Sequence, residues 1–391
     1  MNADSVVIVG SMRTPIGAFQ GDLKDVRAPE LGAAAIRAAV ERSGVAPETV
    51  DEVVMGCVLS AGLGQAPARQ ASLAAGLPLS AGCTTVNKMC GSGMKAIMQA
   101  HDSLVIGSAD VCIAGGFESM SNAPYLLPKA RSGYRMGHGQ IVDHMFLDGL
   151  EDAYEPGRLM GTYAEDCAQA YEFSREVQDE FAIRSLTRAR TAIESRKFER
   201  EVASVGIDSA TVETDELPLK AKIEGIPKLR PAFRKEGTVT AASSSAISDG
   251  AAAVVLMRRL EAEARGLRPL ARIVAHATHS QESARFTTAP IGAMRKVLTK
   301  AGWDKDEVDL YEINEAFAVV TMAAMQDLDL PADKVNVHGG ACALGHPIGA
   351  SGARIVVTLL SALETYDLRR GVASLCIGGG EATAIAVERL S

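Results

Sequence analysis

The feature of this sequence that most constrains its fold is that one half of the chain resembles the other. Three pairs of segments repeat in the same order at nearly constant offsets of 258, 259 and 264 residues: 43–56 with 301–314, 91–93 with 350–352, and 111–116 with 375–380. In the first pair, Gly44 and Gly302 are predicted to end a helix, and strands are predicted to begin at Val50 and Val308. The repeat indicates a duplicated fold rather than the recurring patterns of any Gly-rich protein.

Each half alternates short Val/Ile-rich segments with Ala-rich segments of helical length. The predicted strands are 6–10, 111–115, 271–275 and 375–379, and the predicted helices are 29–43, 92–106, 291–301 and 351–365. This alternation is typical of layered α/β domains that carry helices on both faces of each sheet.

The composition changes between the two halves. Residues 118–162 are Gly-rich and loop-like, residues 174–198 predict an amphipathic helix capped by Ser174, and residues 215–240 are irregular and basic. This section is interpreted as an insertion over the duplicated core. The predicted units are an N-terminal half (1–120 plus 241–268), a loop domain (121–240) and a C-terminal half (269–391).

Charge and composition limit the classes of function. The net charge of −8 disfavours binding to nucleic acid or anionic membranes. No apolar run approaches the length expected of a bilayer-spanning helix, and the N-terminal segment lacks the pattern of an export signal. Seven scattered cysteines without a C-x-x-C spacing favour free thiols in a reducing compartment, and therefore the cytoplasm.

Two cysteines occupy predicted turns in which a thiol could act in catalysis. In VNKMCGSGMKA (86–96), Cys90 lies before a helix, whose dipole is expected to lower the thiol pKa and whose free N–H groups could hold an oxyanion. Cys376 ends a strand before three glycines, which leave backbone N–H groups available near Gly378. An inert buried thiol is the alternative at both positions.

A histidine and an asparagine extend the candidate site. His346 lies in a Gly-rich loop directly before Pro347 and a helix predicted to begin at Ser351, where it could act as a general base for a thiol. Asn314 and Glu315 end an apolar strand, and the Asn314 amide could orient a water or a histidine. A purely structural histidine is the alternative.

Together these motifs resemble those of the thiolase family, over the whole chain. VNKMCGSGMKA, NEAFA, GHPIGASGAR and CIGGG occur in the family's order and spacing, and so do 228–241 and 248–253. The resemblance implies a five-layer αβαβα fold with an inserted, coenzyme-carrying loop domain. It also implies an acyltransferase that makes or breaks a carbon–carbon bond between two coenzyme A thioesters through an acyl-cysteine.

The resemblance assigns roles to individual residues. Cys90 is implied as the nucleophile, His346 as its base and Cys376 as the thiol that moves the α-proton. Asn314 is implied to hold a water that stabilises the enolate oxygen together with His346. The N–H groups of Cys90 and Gly378 are implied to form the other oxyanion hole. No metal or cofactor is implied, because coenzyme A is a substrate. The implied acyl-CoA-binding residues are Ser245, Met160, Ala241, Phe233, Ala316, Phe317, Lys228 and Arg230.

Because the sequence departs from the family pattern at several positions, it does not determine the length of the acyl chain in the substrate. Leu159 stands where acetoacetyl-specific biosynthetic members carry a histidine beside Met160, and residues 282–292 differ at the acyl pocket. Ser243 and Ala246 replace an asparagine and a glycine of many biosynthetic members. The substrate is therefore acetyl-CoA and acetoacetyl-CoA, or a longer or branched 3-ketoacyl-CoA.

Two other functions are alternatives to the thiolase interpretation. A ketoacyl synthase would lack the Cys376 turn and the NEAFA segment, and a non-catalytic acyl-CoA-binding protein would have no need of all four catalytic positions. Six basic residues could attract the anionic coenzyme: Lys220, Lys222, Lys228, Arg230, Arg234 and Lys235. A solvated surface is the alternative for this basic stretch.

The segment 131–154 resembles the protruding loop through which tetrameric thiolases join two dimers. It is Gly-rich and has an apolar end at Ile141, Met145 and Phe146, which a hairpin alone is not expected to bury. The sequence therefore predicts a homotetramer, assembled as a dimer of dimers.

Overall fold

The computed structural model describes residues 4–207 and 210–390, so the first three residues of the N-terminal segment lie outside it. The strands are β1 (Val6–Arg13), β2 (Gly17–Ala18), β3 (Glu52–Gly56), β4 (Gly82–Val86), β5 (Val111–Ser119), β6 (Tyr125–Leu126), β7 (Val142–Asp143), β8 (Val205–Ile207), β9 (Ala210–Val212), β10 (Ser248–Arg258), β11 (Ala271–Ser280), β12 (Leu310–Ile313), β13 (Arg370–Ile377) and β14 (Glu381–Arg389). The α-helices are α1 (Ala28–Ser43), α2 (Pro67–Ala74), α3 (Ser92–Ile106), α4 (Met160–Ala170), α5 (Arg175–Glu194), α6 (Glu216–Lys220), α7 (Arg259–Ala264), α8 (Ala289–Ala301), α9 (Ala318–Leu328), α10 (Ala341–Leu344) and α11 (Ile348–Thr365).

The main sheet carries the predicted duplication in its topology. Its strand order is β12-β13-β14-β11-β1-β10-β5-β3-β4, with β2 paired to β10. In the first half, β5 pairs in parallel with β3 on one side and antiparallel with β10 on the other. In the second half, β13 pairs in the same way with β12 and β14. The halves meet at β1 and β11, where Val7 pairs with Arg272 and Ile8 with Ala271. They therefore form one continuous sheet rather than two separate ones.

Helices α3 and α11 lie between the two halves of this sheet. Helix α3 packs on β5 and β3 and also touches β14, whereas α11 packs on β5 and β10 and on β13 and β12. Helices α1 and α2 cover the outer face of the first half, and α8 covers that of the second, with α9 beside it. This arrangement confirms the predicted αβαβα layers.

The two central helices approach closely because of small residues in the repeat. A Cβ added at Gly93 would lie 2.9 Å from the Ala353 nitrogen, and one added at Gly352 would lie 2.4 Å from the Met94 nitrogen. The repeated small-Ser-Gly segments at 91–93 and 350–352 are therefore the points where α3 and α11 cross.

The element boundaries differ from the predictions in a few places. Gly44 and Gly302 end α1 and α8 in the left-handed conformation, as predicted, with φ of 71° and 68°. Short 3₁₀ turns then delay β3 and β12, which begin at Glu52 and Leu310 rather than at Val50 and Val308. Helix α11 begins at Ile348, three residues before the predicted Ser351, so His346 lies close to the helix start.

The segment between β5 and β10 is more structured than its composition predicts. Helix α5 begins after Ser174, whose side chain accepts the Val177 N–H, but it ends at Glu194 rather than at 198. The predicted irregular stretch 215–240 contains α6 and a 3₁₀ segment, Ile223–Lys228.

A buried ion-pair network attaches this segment to the core. The Arg13 guanidinium on β1 lies 2.7 Å from an Asp215 oxygen and 2.6 Å from a Glu201 oxygen, and the arginine side chain is fully buried. Both carboxylates belong to the inserted segment, so its position is fixed by charge pairing as well as by packing.

The packing bears on two predictions about apolar segments. Helix α11 is long and apolar enough to cross a membrane, with a mean hydropathy of 1.2, but 89% of it is buried at the centre of the fold. In the 131–154 segment, Met145 is buried against its own chain and Phe146 is half-buried, whereas Ile141 is 66% exposed. Only part of that apolar end is therefore available to another subunit.

Candidate active site

A cavity of about 430 Å³ brings together most of the residues selected from the sequence. The predicted residues that line it are Cys90, His346, Cys376, Gly378, Ser245, Met160, Phe233, Ala316 and Phe317. Asn314, Ala241, Lys228 and Arg230 do not line it. The four catalytic motifs therefore converge on one space, although they are far apart in the chain.

The turn that carries Cys90 packs directly on the strand that carries Cys376. A Cβ added at Gly91 would lie 2.3 Å from the Ile377 side chain, so any other residue there would require that side chain to shift. Met89 adopts a left-handed φ of 47°, and the Ser92 hydroxyl closes the turn by donating to the Met89 carbonyl at 2.6 Å. The sharp turn ends two residues before α3 and presents Cys90 to the cavity.

The pKa of the Cys90 thiol is opposite in direction to the prediction. Burial raises the pKa to about 11, and it outweighs the hydrogen bonds from the backbone N–H groups of Gly378 and of Cys90 itself, which lower the pKa. The helix start lies two residues beyond Cys90, and apolar neighbours remove water from the sulfur. At neutral pH the resting residue is a thiol.

The raised pKa predicts how the rate of Cys90 alkylation by iodoacetamide depends on pH. The rate should rise about tenfold per pH unit between pH 6 and 9 without a plateau, because the thiolate fraction grows until the pH reaches the pKa. Alkylation at Cys90 is measured by peptide mass spectrometry, with Cys83 followed in the same digest. A plateau near pH 7 would mean that the resting residue is a thiolate.

His346 is held as an uncharged base. Its Nδ1 lies 2.6 Å from the Ser351 hydroxyl, which donates its own proton to the Pro347 carbonyl at 3.0 Å. Ser351 must therefore accept the Nδ1 proton, so Nε2 is left with its lone pair. No partner for Nε2 is found among residues 4–207 and 210–390, and burial with nearby Arg354 lowers the His346 pKa to about 3.

Cys376 is a second thiol in the same cavity, and it is buried whereas Cys90 is half-buried. Burial, and then the proximity of Cys90, raise its pKa well above the ordinary value of a thiol. The glycines that follow Ile377 form a tight turn, in which Gly379 and Gly380 have φ of 92° and 85°. This turn exposes the Gly378 N–H toward Cys90.

Asn314 lies behind the cavity wall rather than on it. The residue is fully buried, and its Oδ1 accepts a hydrogen bond of 3.3 Å from Arg354, which also contacts Glu312 at 3.4 Å. Its Nδ2 has no partner within the described part of the chain. A buried amide donor in this state is a suitable place for a bound water.

Sequence reasoning missed one buried carboxylate that supports the site. Glu118 accepts N–H groups of Val58 and Leu59 at 3.0 Å each and of Gly349 at 2.9 Å, which fixes the first turn of α11 next to His346. Burial raises its pKa to about 7. The only sequence signal was one acidic residue within an otherwise apolar strand.

Glu315 was noted in the sequence as a strand-end residue without a role. It accepts hydrogen bonds from Ser185 at 2.7 Å, from Asn336 at 2.8 Å and from the Cys342 N–H at 3.1 Å. It therefore connects α5, β12 and the Gly-rich loop that leads to His346.

Two aromatic rings form part of the cavity wall. Phe233 covers Gly161, where an added Cβ would lie 2.3 Å from the ring, and it meets Phe317 edge-on with ring centres 5.8 Å apart. Ser245 extends the wall, and its hydroxyl donates to the Ala316 carbonyl at 3.0 Å.

The basic stretch is only partly available to an anionic ligand. Lys220 pairs with Glu216 and Asp22, and Arg234 pairs with Asp166. The remaining members form no ion pair within the described ranges: Lys222, Lys228, Arg230 and Lys235. Lys228 and Arg230 are exposed, as is Ala241.

Comparison with known families agrees with this geometry. The family described as "Thiolase, N-terminal domain" matches residues 6–260, and "Thiolase, C-terminal domain" matches residues 267–389. Together they cover nearly the whole chain. The chain therefore belongs to the thiolase family of enzymes.

Curated proteins of similar length resemble the chain throughout. An acetyl-CoA acetyltransferase of Cupriavidus necator is 48% identical over 390 residues, which cover 98% of this chain and 99% of that protein. Proteins of the same name from Pseudomonas aeruginosa and Schizosaccharomyces pombe are 47% and 46% identical, again over 98% of this chain and 99% of their own length.

Proposed function

We propose that this protein condenses two molecules of acetyl-CoA to acetoacetyl-CoA and coenzyme A, and catalyses the reverse thiolysis. The observation that carries the proposal is that the half-buried Cys90 thiol, the buried Cys376 thiol and an unprotonated imidazole share one cavity, with the Gly378 N–H directed at the Cys90 sulfur. The names of the full-length relatives support acetyl-CoA as the substrate.

In the first half-reaction, the Cys90 sulfur attacks the acetyl carbonyl while His346 Nε2 takes the thiol proton. Both groups are uncharged at rest, so the proton moves as negative charge develops on the thioester oxygen. The N–H groups of Cys90 and Gly378 stabilise that charge. Coenzyme A leaves as the thiol after it receives the proton from His346, and the acetyl group remains on Cys90.

In the second half-reaction, the Cys376 thiol passes its proton to His346 Nε2, and the resulting thiolate removes an α-proton from a second acetyl-CoA. The resulting enolate oxygen is stabilised by His346 and by a water on the unpartnered Nδ2 of Asn314. The carbanion attacks the acetyl-Cys90 carbonyl and forms the new carbon–carbon bond, and Cys90 leaves as a thiol with the proton that His346 holds. These steps use only side chains, backbone N–H groups and water, so the proposed reaction needs no cofactor.

The coenzyme is proposed to bind along the segment that follows the 3₁₀ turn Ile223–Lys228. Lys228 and Arg230 are exposed and have no competing ion pair in the described ranges. Three residues after Arg230, the chain reaches Phe233 in the cavity wall. This placement allows the cations to meet the phosphates while Ser245, Met160 and Phe317 contact the pantetheine end. Ala241 is proposed to contact the outer part of the coenzyme.

Longer or branched 3-ketoacyl-CoA thiolysis is the second candidate. Its support is the apolar surface of the cavity beside the thiols, formed by Phe146, Leu150, Leu159 and Phe286. Such a surface has room for more than an acetyl group.

Thiolysis assays distinguish the two substrate classes. We expect acetoacetyl-CoA plus coenzyme A to be cleaved with loss of the enolate absorbance, at a higher kcat/KM than a six-carbon or methyl-branched 3-ketoacyl-CoA. A higher kcat/KM for the longer substrates would favour the second candidate. Failure to cleave any of them would contradict the thiolase activity itself.

The protein is further proposed to act in the cytoplasm as a homotetramer. All seven cysteines are free, which fits a reducing compartment. Edge strand β4 offers a surface for dimer formation. Residues 131–141 are exposed, with Met136 at 97%, and would cover one another in a pair of dimers.

Deletion of residues 132–140 is expected to give an active dimer. The loop is exposed and its removal leaves the cavity lining intact, so only the contact between dimers should be lost. Light scattering should report about half the mass of the intact protein, with thiolysis activity retained. An intact protein that is already a dimer at micromolar concentration would contradict the tetramer.

A further inference from the structure

Two histidines and one aspartate from different halves of the chain meet outside the cavity. His101 and Asp102 lie near the end of α3, and His276 lies on β11. The His276 Nε2 is 3.2 Å from the His101 Nδ1 and 3.0 Å from an Asp102 oxygen, and that oxygen is 3.2 Å from the His101 Nδ1. Three possible ligand atoms therefore form a nearly equilateral triangle.

The dimensions of this triangle fit a transition-metal ion. Histidine nitrogens and carboxylate oxygens bind Zn²⁺ at about 2.0–2.1 Å. An ion at that distance from all three atoms would have ligand–metal–ligand angles of about 100°, between the octahedral and the tetrahedral values. The side chains already hold this geometry, so binding would need little rearrangement.

Hydrogen bonds alone satisfy this cluster poorly. If both facing ring nitrogens were protonated, two N–H groups would point at each other across 3.2 Å. If only one is protonated, its single proton is shared between a nitrogen and the carboxylate. A cation bound to two unprotonated nitrogens and the carboxylate removes this conflict.

The surroundings leave room for a further ligand. The side chains of His101 and His276 are 19% and 17% exposed, whereas Asp102 is 57% exposed, so water can reach the site from the carboxylate side. The Lys300 ammonium contacts the His276 backbone carbonyl at 3.0 Å rather than the ring.

We propose that His101, Asp102 and His276 bind a divalent transition-metal ion, with Zn²⁺ the best match, and that water completes the coordination. Two imidazoles favour Zn²⁺, Co²⁺ or Ni²⁺ over Mg²⁺ and Ca²⁺, which prefer oxygen ligands. None of the three residues lines the cavity, and His101 lies about 14 Å along α3 from its first residue. The ion would connect α3 to β11 and so join the two halves of the fold.

No sequence pattern indicates this site. His276 is 175 positions from His101, and neither residue belongs to a motif with metal-ligand spacing. The inference does not depend on the proposed acyl transfer, because the reaction requires no metal.

Isothermal titration of the tag-free protein with Zn²⁺ tests the site. We expect one ion per chain. The double variant His101→Ala/His276→Ala should bind at least about 100-fold more weakly, because loss of residues that only position a ligand already costs about 10–100-fold. Asp102→Asn, which keeps the side-chain volume, should also weaken binding. His138→Ala, an exposed histidine in the 131–141 loop, is the matched control and should bind like the wild type.

The cysteines are the main competing ligands, and a Co²⁺ titration separates them from the cluster. Coordination by two imidazoles and a carboxylate should give weak visible bands without the intense near-ultraviolet charge transfer of a thiolate. Thiolysis activity of all variants should remain within about twofold of wild type, which also reports correct folding. No binding by the wild type at about 1 mM Zn²⁺, or unchanged affinity in the double variant, would overturn the proposal.

Discussion

Replacement of Cys376 by serine is expected to abolish exchange of the acetyl-CoA α-protons with deuterated water, while acetylation of Cys90 continues. Serine fits the volume of the buried thiol, but its hydroxyl is a far weaker acid and cannot carry the proton. The exchange rate should fall at least about 10³-fold. Mass spectrometry of acetyl-CoA measures the deuterium, and intact-protein mass spectrometry measures the acetyl adduct.

Cys167→Ser is the matched control for this experiment. Cys167 is buried in the same apolar cluster as Cys376, and burial raises its pKa as well, but it does not line the cavity. The control should therefore exchange α-protons at nearly the wild-type rate. Exchange at the wild-type rate in Cys376→Ser would show that another group removes the proton.

Replacement of Cys90 by alanine is expected to lower thiolysis at least about 10⁴-fold and to remove the acetyl adduct. The variant keeps the N–H groups that bind the oxyanion but has no atom to which the acetyl group can be transferred. Enzyme mixed with acetyl-CoA and quenched in acid should carry one acetyl group in the wild type and none in the variant.

Cys83→Ala provides the comparison, because Cys83 is half-buried on β4, seven residues before Cys90, and lies outside the cavity. This variant should still be acetylated once. Persistence of the adduct in Cys90→Ala would assign the nucleophile to another cysteine, and Cys376 would be the first to examine.

The duplicated architecture could be predicted because each repeated segment contains the residues that determine its own local structure. Gly44 and Gly302 end helices through their own backbone conformation, and Gly93 and Gly352 permit helix contact because they lack a side chain. Short motifs therefore determine both the boundaries of the elements and the crossing of α3 with α11.

The electrostatics of the site could not be predicted in the same way. The Cys90 pKa depends on how completely the fold removes water from the sulfur, and the backbone N–H groups of Gly378 and Cys90 have the smaller effect. The tautomer of His346 follows from Ser351, which is one turn along α11 and was identified only as a helix start.

Contacts between side chains from different halves of the chain also could not be predicted from the sequence. Glu118 reaches Gly349 across 231 positions, and no local pattern indicates the partner of an acidic residue inside an apolar strand. The cluster of His101, Asp102 and His276 likewise exists only because α3 packs between the two halves of the sheet.

Isotope exchange between labelled coenzyme A and unlabelled acetyl-CoA tests the acyl-Cys90 intermediate most directly. If the acetyl group waits on Cys90 while coenzyme A leaves, label should enter acetyl-CoA without any net condensation, and it should do so in Cys376→Ser but not in Cys90→Ala. Absence of exchange in the wild type, under conditions where acetoacetyl-CoA is still cleaved, would contradict a covalent intermediate.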